Sequence, residues 1–383
     1  MKKRKTSPDS QKGHALSIPD IEIIDLDSDG IADIPDRHPV PGSQPPDRKG
    51  TGKRKDGSRS RINIHIILLI VFLLFVAGII YKVMNFGVPV DLGEIFKDGP
   101  GTYEDNLDTF LPLFDAEGNP LYQNYGEGSS ILVFGNAPFA DDRDADDNLA
   151  SMIREMTGAT VYNCAVSGSY LAAESSELDG QAHPMDIFNF YWLCSLATGY
   201  HDFTKEEFRK GMEALGDNAP PEANEVYSTL TSIDLSTVDV VVAMYDGSDY
   251  LDGRPMYNDG NSTDITQFTG NTEAGIELLN YCYPNIRIII MSPAYAYGLD
   301  ESGNYVSSDI QRYGWDVLST YVIKQYASCT SRMVTFVDNL YGTINEDQAP
   351  DYLSDHLHLN PAGRKKVAER FVNALNYFSH MVE

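Results

Sequence analysis

Short apolar runs alternate with longer amphipathic stretches along the chain from about Ser129 to its end. Each run has five to eight residues and is almost entirely apolar, as in strands that are buried on both faces. The stretches between the runs carry apolar residues at helical spacing, and this alternation is typical of a parallel sheet. We therefore predict a three-layer α/β/α sandwich with a parallel sheet over residues 129–383. The predicted strands are 131–135, 160–166, 238–245, 286–293 and 333–338, and the predicted helices are 147–158, 186–215, 272–284, 316–329 and 360–378.

A different apolar pattern precedes this region. From Ile66 to Tyr81 the chain reads IILLIVFLLFVAGIIY, without a charge or a strongly polar group. With its flanks, the segment 62–82 has about 21 residues, close to the ~20 that cross a hydrocarbon core. A buried core helix needs only one apolar face, and a cleavable signal peptide would lie nearer the N-terminus. The sequence therefore predicts one transmembrane helix at 62–82.

Charges on either side of this helix predict its orientation. Five Lys and Arg residues lie within 52–61, whereas no basic residue follows Met84 for a dozen positions. Because basic flanks stay in the cytoplasm, we expect a single-pass protein of the cell membrane with a cytoplasmic N-terminus. Residues 83–128 are then a stalk or linker, and residues 129–383 form an extracellular domain.

Residues 1–61 have the composition of a disordered tail, rich in Pro, Gly, Ser and charged residues. Within them the segment DLDSDGIADIPD (25–36) has the ligand spacing of a calcium-binding loop. It lacks flanking helical patterns, and its last position is Asp36 rather than the longer Glu. An acidic, solvated tail is the preferred interpretation, and a calcium loop is the alternative.

The distribution of charge along the chain indicates which partners the C-terminal domain can bind. Residues 1–61 contain more Lys and Arg than Asp and Glu, so the chain's net charge of −27 falls on the later residues. A domain this acidic repels nucleic acid, and we expect no nucleic-acid partner.

The four cysteines are widely spaced, and we expect buried free thiols. They are Cys164, Cys194, Cys282 and Cys329.

Polar residues and glycines cluster where the predicted strands end. In a parallel sheet, sites form just beyond the C-terminal ends of the strands. The segments at these ends are Gly135-Asn136-Ala137-Pro138, Ser167-Gly168-Ser169, Asp246-Gly247-Ser248-Asp249, Ser292-Pro293 and Asp355-His356-Leu357-His358.

These segments, in this order, resemble the conserved blocks of the SGNH (GDSL-like) hydrolases. Asp355 and His358 match the family's Asp-x-x-His, and the Asn-x-x-Gly that follows them is also typical. Gly168 matches the glycine whose N–H contributes to the oxyanion hole, and DGSD at 246–249 stands where the family has Gly-x-Asn-Asp. The resemblance covers about 129–379 and implies a three-layer hydrolase fold with carboxylic-ester hydrolase activity.

The chain departs from this family at decisive positions. Ala137 stands where the family has its nucleophilic serine, and Asn136 stands where it has the preceding Asp. Ser248 replaces the Asn that donates a side-chain hydrogen bond to the oxyanion. Since a methyl group cannot attack a carbonyl carbon, the usual Ser–His–Asp route cannot run through Ala137.

Three hypotheses remain open for the domain. In the first, another group replaces the serine, with Ser167, Ser169, Asp141 and Asp142 as candidates, and the domain hydrolyses or transfers an acyl group on envelope carbohydrate. In the second, it only binds an envelope glycan or acylated sugar. In the third, the pocket is vestigial and the domain is a structural part of the envelope.

The resemblance and the strand-end rule together give a set of candidate residues. The catalytic candidates are His358 as base, Asp355 as its orienting partner, Gly168 and Ser248 as oxyanion donors, and Asp249. The substrate-binding candidates are Asn136 and Tyr245, the latter as one of several tyrosines expected on the rim, with Tyr250, Tyr257, Tyr295 and Tyr297.

Cofactor motifs are missing from the sequence. It contains no HExxH, no P-loop, no paired CxxC and no dinucleotide-binding glycine motif. We therefore expect no cofactor and no catalytic metal. All site expectations depend on the imidazole of His358 and the loop bearing Ala137 facing one cleft.

Overall fold

The computed structural model describes residues 106–115 and 117–382. The predicted cytoplasmic tail, calcium-loop alternative and transmembrane helix at 62–82 lie outside these residues. Within the described part of the chain, no helix is both long and apolar enough to cross a bilayer.

Five parallel strands form the central sheet of the domain. Their order is β2-β1-β3-β4-β5; four of them lie within predicted apolar runs, and β1 begins one residue before its predicted run. Nearly every side chain in the four strands other than β2 is buried, as expected for a sheet covered on both faces. The strands are β1 (Ser130–Gly135), β2 (Thr160–Asn163), β3 (Val240–Met244), β4 (Arg287–Met291) and β5 (Thr335–Val337).

Helices flank this sheet on both faces. Along the chain, β2 is added on one side of β1, whereas β3, β4 and β5 are added on the other side. Because crossover connections are right-handed, the helices of the first connection and those of the later connections lie on opposite faces of the sheet. Accordingly α2 packs with α10, whereas α7 packs with α3 and α8. The helices are α1 (Ala137–Ala140), α2 (Leu149–Thr157), α3 (Phe190–Thr198), α4 (Thr204–Leu215), α5 (Ala223–Ser232), α6 (Ser248–Leu251), α7 (Phe268–Cys282), α8 (Leu318–Ser331), α9 (Ala349–Tyr352) and α10 (Pro361–Leu375). The α/β class with a parallel sheet is therefore confirmed.

One predicted helix is divided in the structure. The stretch 186–215 forms a 3₁₀ turn at Pro184–Phe188 and then the separate helices α3 and α4. Gly199 ends α3 in the left-handed conformation, with φ of +65°. Such a C-terminal glycine ends a helix because it adopts positive φ without steric cost.

The segment before β1 is attached to the domain rather than extended from it. The N–H of Leu107 donates to Oδ2 of Asp338 at 2.9 Å, and the N–H of Leu111 donates to Oγ1 of Thr335 at 3.0 Å. Thr109 forms an antiparallel bridge with Phe336. The sequence predicts a linker over residues 83–128, but residues 107–111 within it pair with β5, the strand at the edge of the sheet.

The first loop leaves the sheet between β1 and β3, where the order of the strands reverses. Gly135 ends β1 with φ of +150°, and a Cβ there would lie 2.0 Å from the carbonyl oxygen of Met244. Only glycine allows β1 and β3 to approach this closely. The chain then turns through Asn136 into α1, which places the first loop at the crevice typical of ligand sites in open α/β sheets.

Candidate active site

Asp355 and His358 form a hydrogen-bonded pair in the loop before α10. Nδ1 of His358 lies 2.7 Å from Oδ2 of Asp355. The other carboxylate oxygen accepts from the backbone N–H groups of Leu357 and His358, both at 2.8 Å. Burial alone would raise the pKa of Asp355, but these hydrogen bonds hold it at about 2. The carboxylate is therefore ionised and fixes the orientation of the imidazole.

The imidazole of His358 is half-buried and sits among carboxylates. Burial alone would lower the pKa of His358, but the hydrogen bond and charge of Asp355 and the charges of Asp141 and Asp246 raise it above 6.5. The bond to Asp355 uses Nδ1, and Nε2 has no hydrogen-bond partner among the described residues. Nε2 is thus the nitrogen available to a substrate or water.

His358 shares a depression of about 340 Å³ with the end of the first loop. In this depression His358 lies beside Asp141 and Asp142, the two residues that follow α1. The side chain of Asp141 lies in it, and burial, followed by the charges of Asp246 and Asp142, raises the pKa of Asp141 against the opposing effects of His358 and Arg364. Its lining includes Asp141, Asp142, Ser354, His358, Asn360 and Arg364.

Arg364 holds this depression together, and sequence reasoning did not identify it. The residue is 2% exposed. Its Nη2 donates to Oδ2 of Asp142 at 2.9 Å, its Nε to the carbonyl of Asp147 at 2.8 Å and its Nη1 to the carbonyl of Leu359 at 3.1 Å. It lies in the run GRKK, whose composition is that of a solvent-exposed helix face, so its burial could not be predicted from the local sequence.

Asn136 connects three strand ends. Its Nδ2 donates to the carbonyl of Ser169 at 3.0 Å and to Oδ1 of Asp246 at 2.8 Å. Its Oδ1 accepts from the N–H of Asp246 at 2.8 Å. Because the side chain is 1% exposed and fully used in these bonds, it positions the loops rather than contacting a substrate. Ala137, which begins α1 beside it, is 6% exposed.

The segment 246–249, which follows β3, lies close to Leu357, the residue before His358. A Cβ on Gly247 would lie 3.0 Å from Cβ of Ala296 and 3.5 Å from Cδ1 of Leu357. Next to it, the N–H of Ser248 donates to Oδ1 of Asp246 at 3.0 Å. The Ser248 hydroxyl has no hydrogen-bond partner among the described residues, so it is available to a ligand.

Asp249 lies in the interior rather than in the depression. It is 1% exposed, and its two oxygens accept from the N–H groups of Leu171 at 2.9 Å and Ala172 at 2.8 Å. Burial raises the pKa of Asp249 to about 6, against the lowering effect of these hydrogen bonds. The side chain therefore ties α6 to the loop that follows β2.

Gly168 has the geometry of a backbone donor. It is exposed, with φ of +68°, and a Cβ there would meet no atom within 4 Å. Among the described residues its N–H has no hydrogen-bond partner. It immediately precedes Ser169, whose carbonyl accepts from Asn136, so its N–H lies at the turn joined to the first loop.

The structure separates the four residues that the sequence offers as alternative nucleophiles. Ser169 is fully buried and its hydroxyl donates to the carbonyl of Val166 at 2.8 Å. Ser167 is half-buried, and its N–H donates to Glu222. Asp142 is paired with Arg364. Asp141 alone of these lies in the depression without a paired cation.

The expected tyrosine rim is mostly core. Tyr245 is 2% exposed and its hydroxyl donates to the carbonyl of Phe188 at 3.3 Å. Tyr250 and Tyr295 are equally buried, and only Tyr257 and Tyr297 reach the surface. Tyr245 thus cannot stack on a substrate. The sequence could not distinguish these positions because tyrosine at a strand end suits either environment.

Comparisons with known proteins extend this picture little. No protein-family model matches the chain. No curated protein sequence matches it. Among solved structures it is similar to a carbohydrate acetylesterase from Sinorhizobium meliloti (11% identity, covering 65% of this chain and 99% of that one, TM-score 0.39). It is also similar to a possible lipase from Chitinophaga pinensis (11%, 65% and 98%, TM-score 0.40) and to a protein from Lactobacillus plantarum (16%, 66% and 98%, TM-score 0.45). With TM-scores below 0.5, these likenesses establish neither a family nor an activity.

The candidate site combines an imidazole with hydrogen-bond donors, and the first loop carries no hydroxyl group. The described residues include no cluster of three His, Cys, Asp or Glu side chains arranged to bind a metal ion. The groups present are an oriented imidazole, a neighbouring carboxylate, a free backbone N–H and the Ser248 hydroxyl. This set can take a proton from water and can stabilise a developing oxyanion.

Proposed function

We propose that this protein is a membrane-anchored SGNH-like esterase that hydrolyses acyl esters on cell-envelope carbohydrate, with water in place of a serine nucleophile. The observation that carries the proposal is the Asp355–His358 pair, whose free Nε2 faces the same depression as Asp141. This pair is the catalytic base and its orienting partner in the family that the sequence resembles.

In the proposed reaction His358 acts first as a base and then as an acid. Nε2 takes a proton from a water molecule as its oxygen attacks the ester carbonyl carbon. The tetrahedral intermediate then collapses, the bond to the sugar oxygen breaks, and that oxygen receives the proton from Nε2. The products are the free acid and the free hydroxyl. Asp355 holds the ring in place and stabilises its protonated form.

Two donors stabilise the negative oxygen of the intermediate in this proposal. They are the N–H of Gly168 and the hydroxyl of Ser248, neither of which has another partner among the described residues. Asn136 and Asp249 are positioning residues, because they join the loops that carry these donors. Asp141 orients the attacking water beside Nε2.

An aromatic surface next to the pair supports carbohydrate as the substrate. The rings of Tyr297 and Tyr305 stack with centroids 5.2 Å apart, and Tyr305 lies 6.0 Å from the ring of His356. Tyr305 is 53% exposed, so part of its ring is open to a ligand. Exposed aromatic rings beside polar groups suit the apolar faces and hydroxyls of sugars.

The test compares two histidine–carboxylate pairs in the full-length, detergent-purified chain. Hydrolysis of p-nitrophenyl acetate and of an O-acetylated oligosaccharide is measured for the wild type, His358→Ala and His183→Ala. His183 is the matched control, because its Nδ1 lies 2.8 Å from Glu174 and its exposure is similar to that of His358. We expect His358→Ala to reduce turnover by about 10²–10⁴-fold and His183→Ala to leave it unchanged. Equal turnover in the wild type and His358→Ala would refute the mechanism.

Ala137 supports a second candidate, a domain that binds an acylated sugar without hydrolysing it. In that case the wild type binds the O-acetylated oligosaccharide saturably and releases no acetate. Binding would then be weakened by His358→Ala, and a fluorophosphonate probe would label no residue.

Membrane anchoring is a separate part of the proposal and rests on the apolar segment 62–82. Its test is labelling of intact cells with a membrane-impermeant maleimide after introducing a cysteine on either side of this segment. We expect Ser302→Cys to be labelled and Ser7→Cys to be labelled only after lysis. The reverse pattern would contradict the orientation.

A further inference from the structure

A second cavity, of about 720 Å³, lies between α3 and α7 on the opposite helical layer from α2 and α10. It shares no lining residue with the depression at His358. Its volume is within the range of ordinary small-molecule sites. No step of the proposed hydrolysis uses it.

Aromatic side chains form one wall of this cavity. Tyr200 and Tyr281 meet edge to face with centroids 5.9 Å apart, and the hydroxyl of Tyr191 lies 3.0 Å from Nε2 of His201. Tyr281 is 77% exposed and Tyr200 is 50% exposed, so both rings present free faces. Behind them Trp192 is buried, and its indole N–H has no hydrogen-bond partner among the described residues. Exposed rings gathered in a concave surface are typical of a binding site.

The polar groups of the cavity are acceptors and neutral donors. Asp264, Glu277 and Asn261 contribute oxygens, and the lining contains no Lys or Arg. Burial lowers the pKa of His201, which keeps that ring neutral at pH 7. Such a lining repels phosphate and carboxylate ligands and offers hydrogen-bond acceptors to hydroxyl groups.

Both carboxylates are already engaged with the protein, which argues against a cation as the ligand. Asp264 accepts from Nδ2 of Asn258 at 2.8 Å and from Oγ1 of Thr266 at 2.7 Å. Glu277 forms an ion pair with Arg332. Because the oxygens of Asp264 are already hydrogen-bonded and Glu277 is paired with Arg332, the cavity favours a neutral ligand that has hydroxyl groups and apolar faces.

We propose that this cavity binds a neutral saccharide. The apolar C–H face of a sugar ring packs on Tyr281 and Tyr200, and its hydroxyls donate to Asp264 and Asn261. The site would hold a glycan chain at a distance from the catalytic depression. This inference does not depend on the hydrolysis proposed for His358.

The test is calorimetric titration of the full-length chain in a polyoxyethylene detergent, which carries no sugar. The probes are a β-1,4-linked N-acetylglucosamine tetramer, maltotetraose, tetragalacturonate and tetramethylammonium. We expect at least one of the neutral tetramers to bind and the two charged probes not to bind. We expect Tyr281→Ala and Tyr200→Ala each to raise the Kd by about tenfold, equivalent to about 1.4 kcal/mol. Tyr377→Ala is the matched control, since Tyr377 is 52% exposed and lies outside the cavity.

The variant His358→Ala separates this site from the proposed active site. Saccharide binding that survives His358→Ala but not Tyr281→Ala supports the second site even if no esterase activity is found. The proposal is overturned if neither neutral tetramer binds, if Tyr281→Ala and Tyr200→Ala leave the Kd unchanged, or if only a charged probe binds.

Discussion

Asn136 and Asp246 hold each other through two hydrogen bonds of 2.8 Å, although 110 residues separate them along the chain. Through this pair the first loop, which carries Ala137, is locked to the end of β3. The same amide reaches the carbonyl of Ser169, so three strand ends meet at one side chain. The candidate site is therefore built on a rigid junction.

Removing this junction should destabilise the domain. Asn136→Ala leaves the buried N–H of Asp246 without an acceptor and removes one of the two donors to its carboxylate, and an unsatisfied buried group costs about 1–3 kcal/mol. We expect Tm to fall by several degrees, whereas Asn373→Ala, at an exposed position of α10, should change it little. Equal melting temperatures for the two variants would show that the junction contributes nothing.

Replacing Arg364 should lower the free energy of unfolding far more than replacing Asp142, with which it forms an ion pair. Arg364→Met keeps much of the buried stem but leaves the carbonyls of Asp147 and Leu359 unpaired, and we expect a loss of about 1–3 kcal/mol or more. Asp142→Ala removes only an exposed carboxylate, which we expect to cost less than about 1 kcal/mol. Thermal unfolding of both variants checks the order, and a larger effect of Asp142→Ala would contradict it.

Asp249 should make the domain less stable as pH rises from 4 to 7. Its pKa is raised from 3.8 to about 6, so the folded state binds a proton more tightly than the unfolded chain. Stability from this group is complete below the unfolded pKa and is lost as pH rises through the folded one. The difference of about two units corresponds to about 3 kcal/mol.

Asp249→Asn, which does not titrate, isolates this effect. Denaturant unfolding is followed at pH 4 and pH 7 by the fluorescence of Trp192 and Trp315, the two tryptophans of the chain. We expect the wild type to lose about 2 kcal/mol relative to the variant between these two pH values, because at pH 4 the unfolded carboxyl is already partly ionised. A constant difference would mean that Asp249 titrates normally.

The charge of Asp141 should be visible in the pH profile of the proposed reaction. As a base His358 must be neutral, so kcat/KM should rise with pH through a pKa above 6.5. Asp141→Asn removes one of the charges that raise this pKa, and the acid limb should move to lower pH. Asp144→Asn, at an exposed position nearby, is the control. An unmoved limb in Asp141→Asn would place Asp141 outside the reach of the imidazole.

Replacing Tyr305 should weaken binding of the carbohydrate without slowing the hydrolytic step. If its ring stacks on the carbohydrate, Tyr305→Ala should raise KM for an O-acetylated oligosaccharide and leave kcat/KM for p-nitrophenyl acetate unchanged. Equal losses on both substrates would point to a disturbed active site instead.

Local patterns predicted much of this molecule, and contacts between distant segments account for the rest. The five strands followed from continuous apolar runs, and the Asp355–His358 pair was implied by the resemblance to the SGNH hydrolases. The pairing of Asn136 with Asp246, the burial of Arg364 and the docking of Leu107 on Asp338 depend on the packing of elements far apart in sequence. Tyr245 shows the same limit, because its direction at the end of β3 decides between core and surface.

The proposed mechanism requires the loop bearing Ala137 to face the imidazole of His358, and a serine introduced into that loop tests this requirement. Ala137→Ser places a serine where the hydrolases that the sequence resembles have their nucleophile, and a fluorophosphonate reports whether a histidine activates it. We expect covalent labelling of Ala137→Ser, none of the wild type, and none of the double variant Ala137→Ser/His358→Ala. If Ala137→Ser is folded and labelled no more than the wild type, or if its labelling persists without His358, the shared cleft is contradicted.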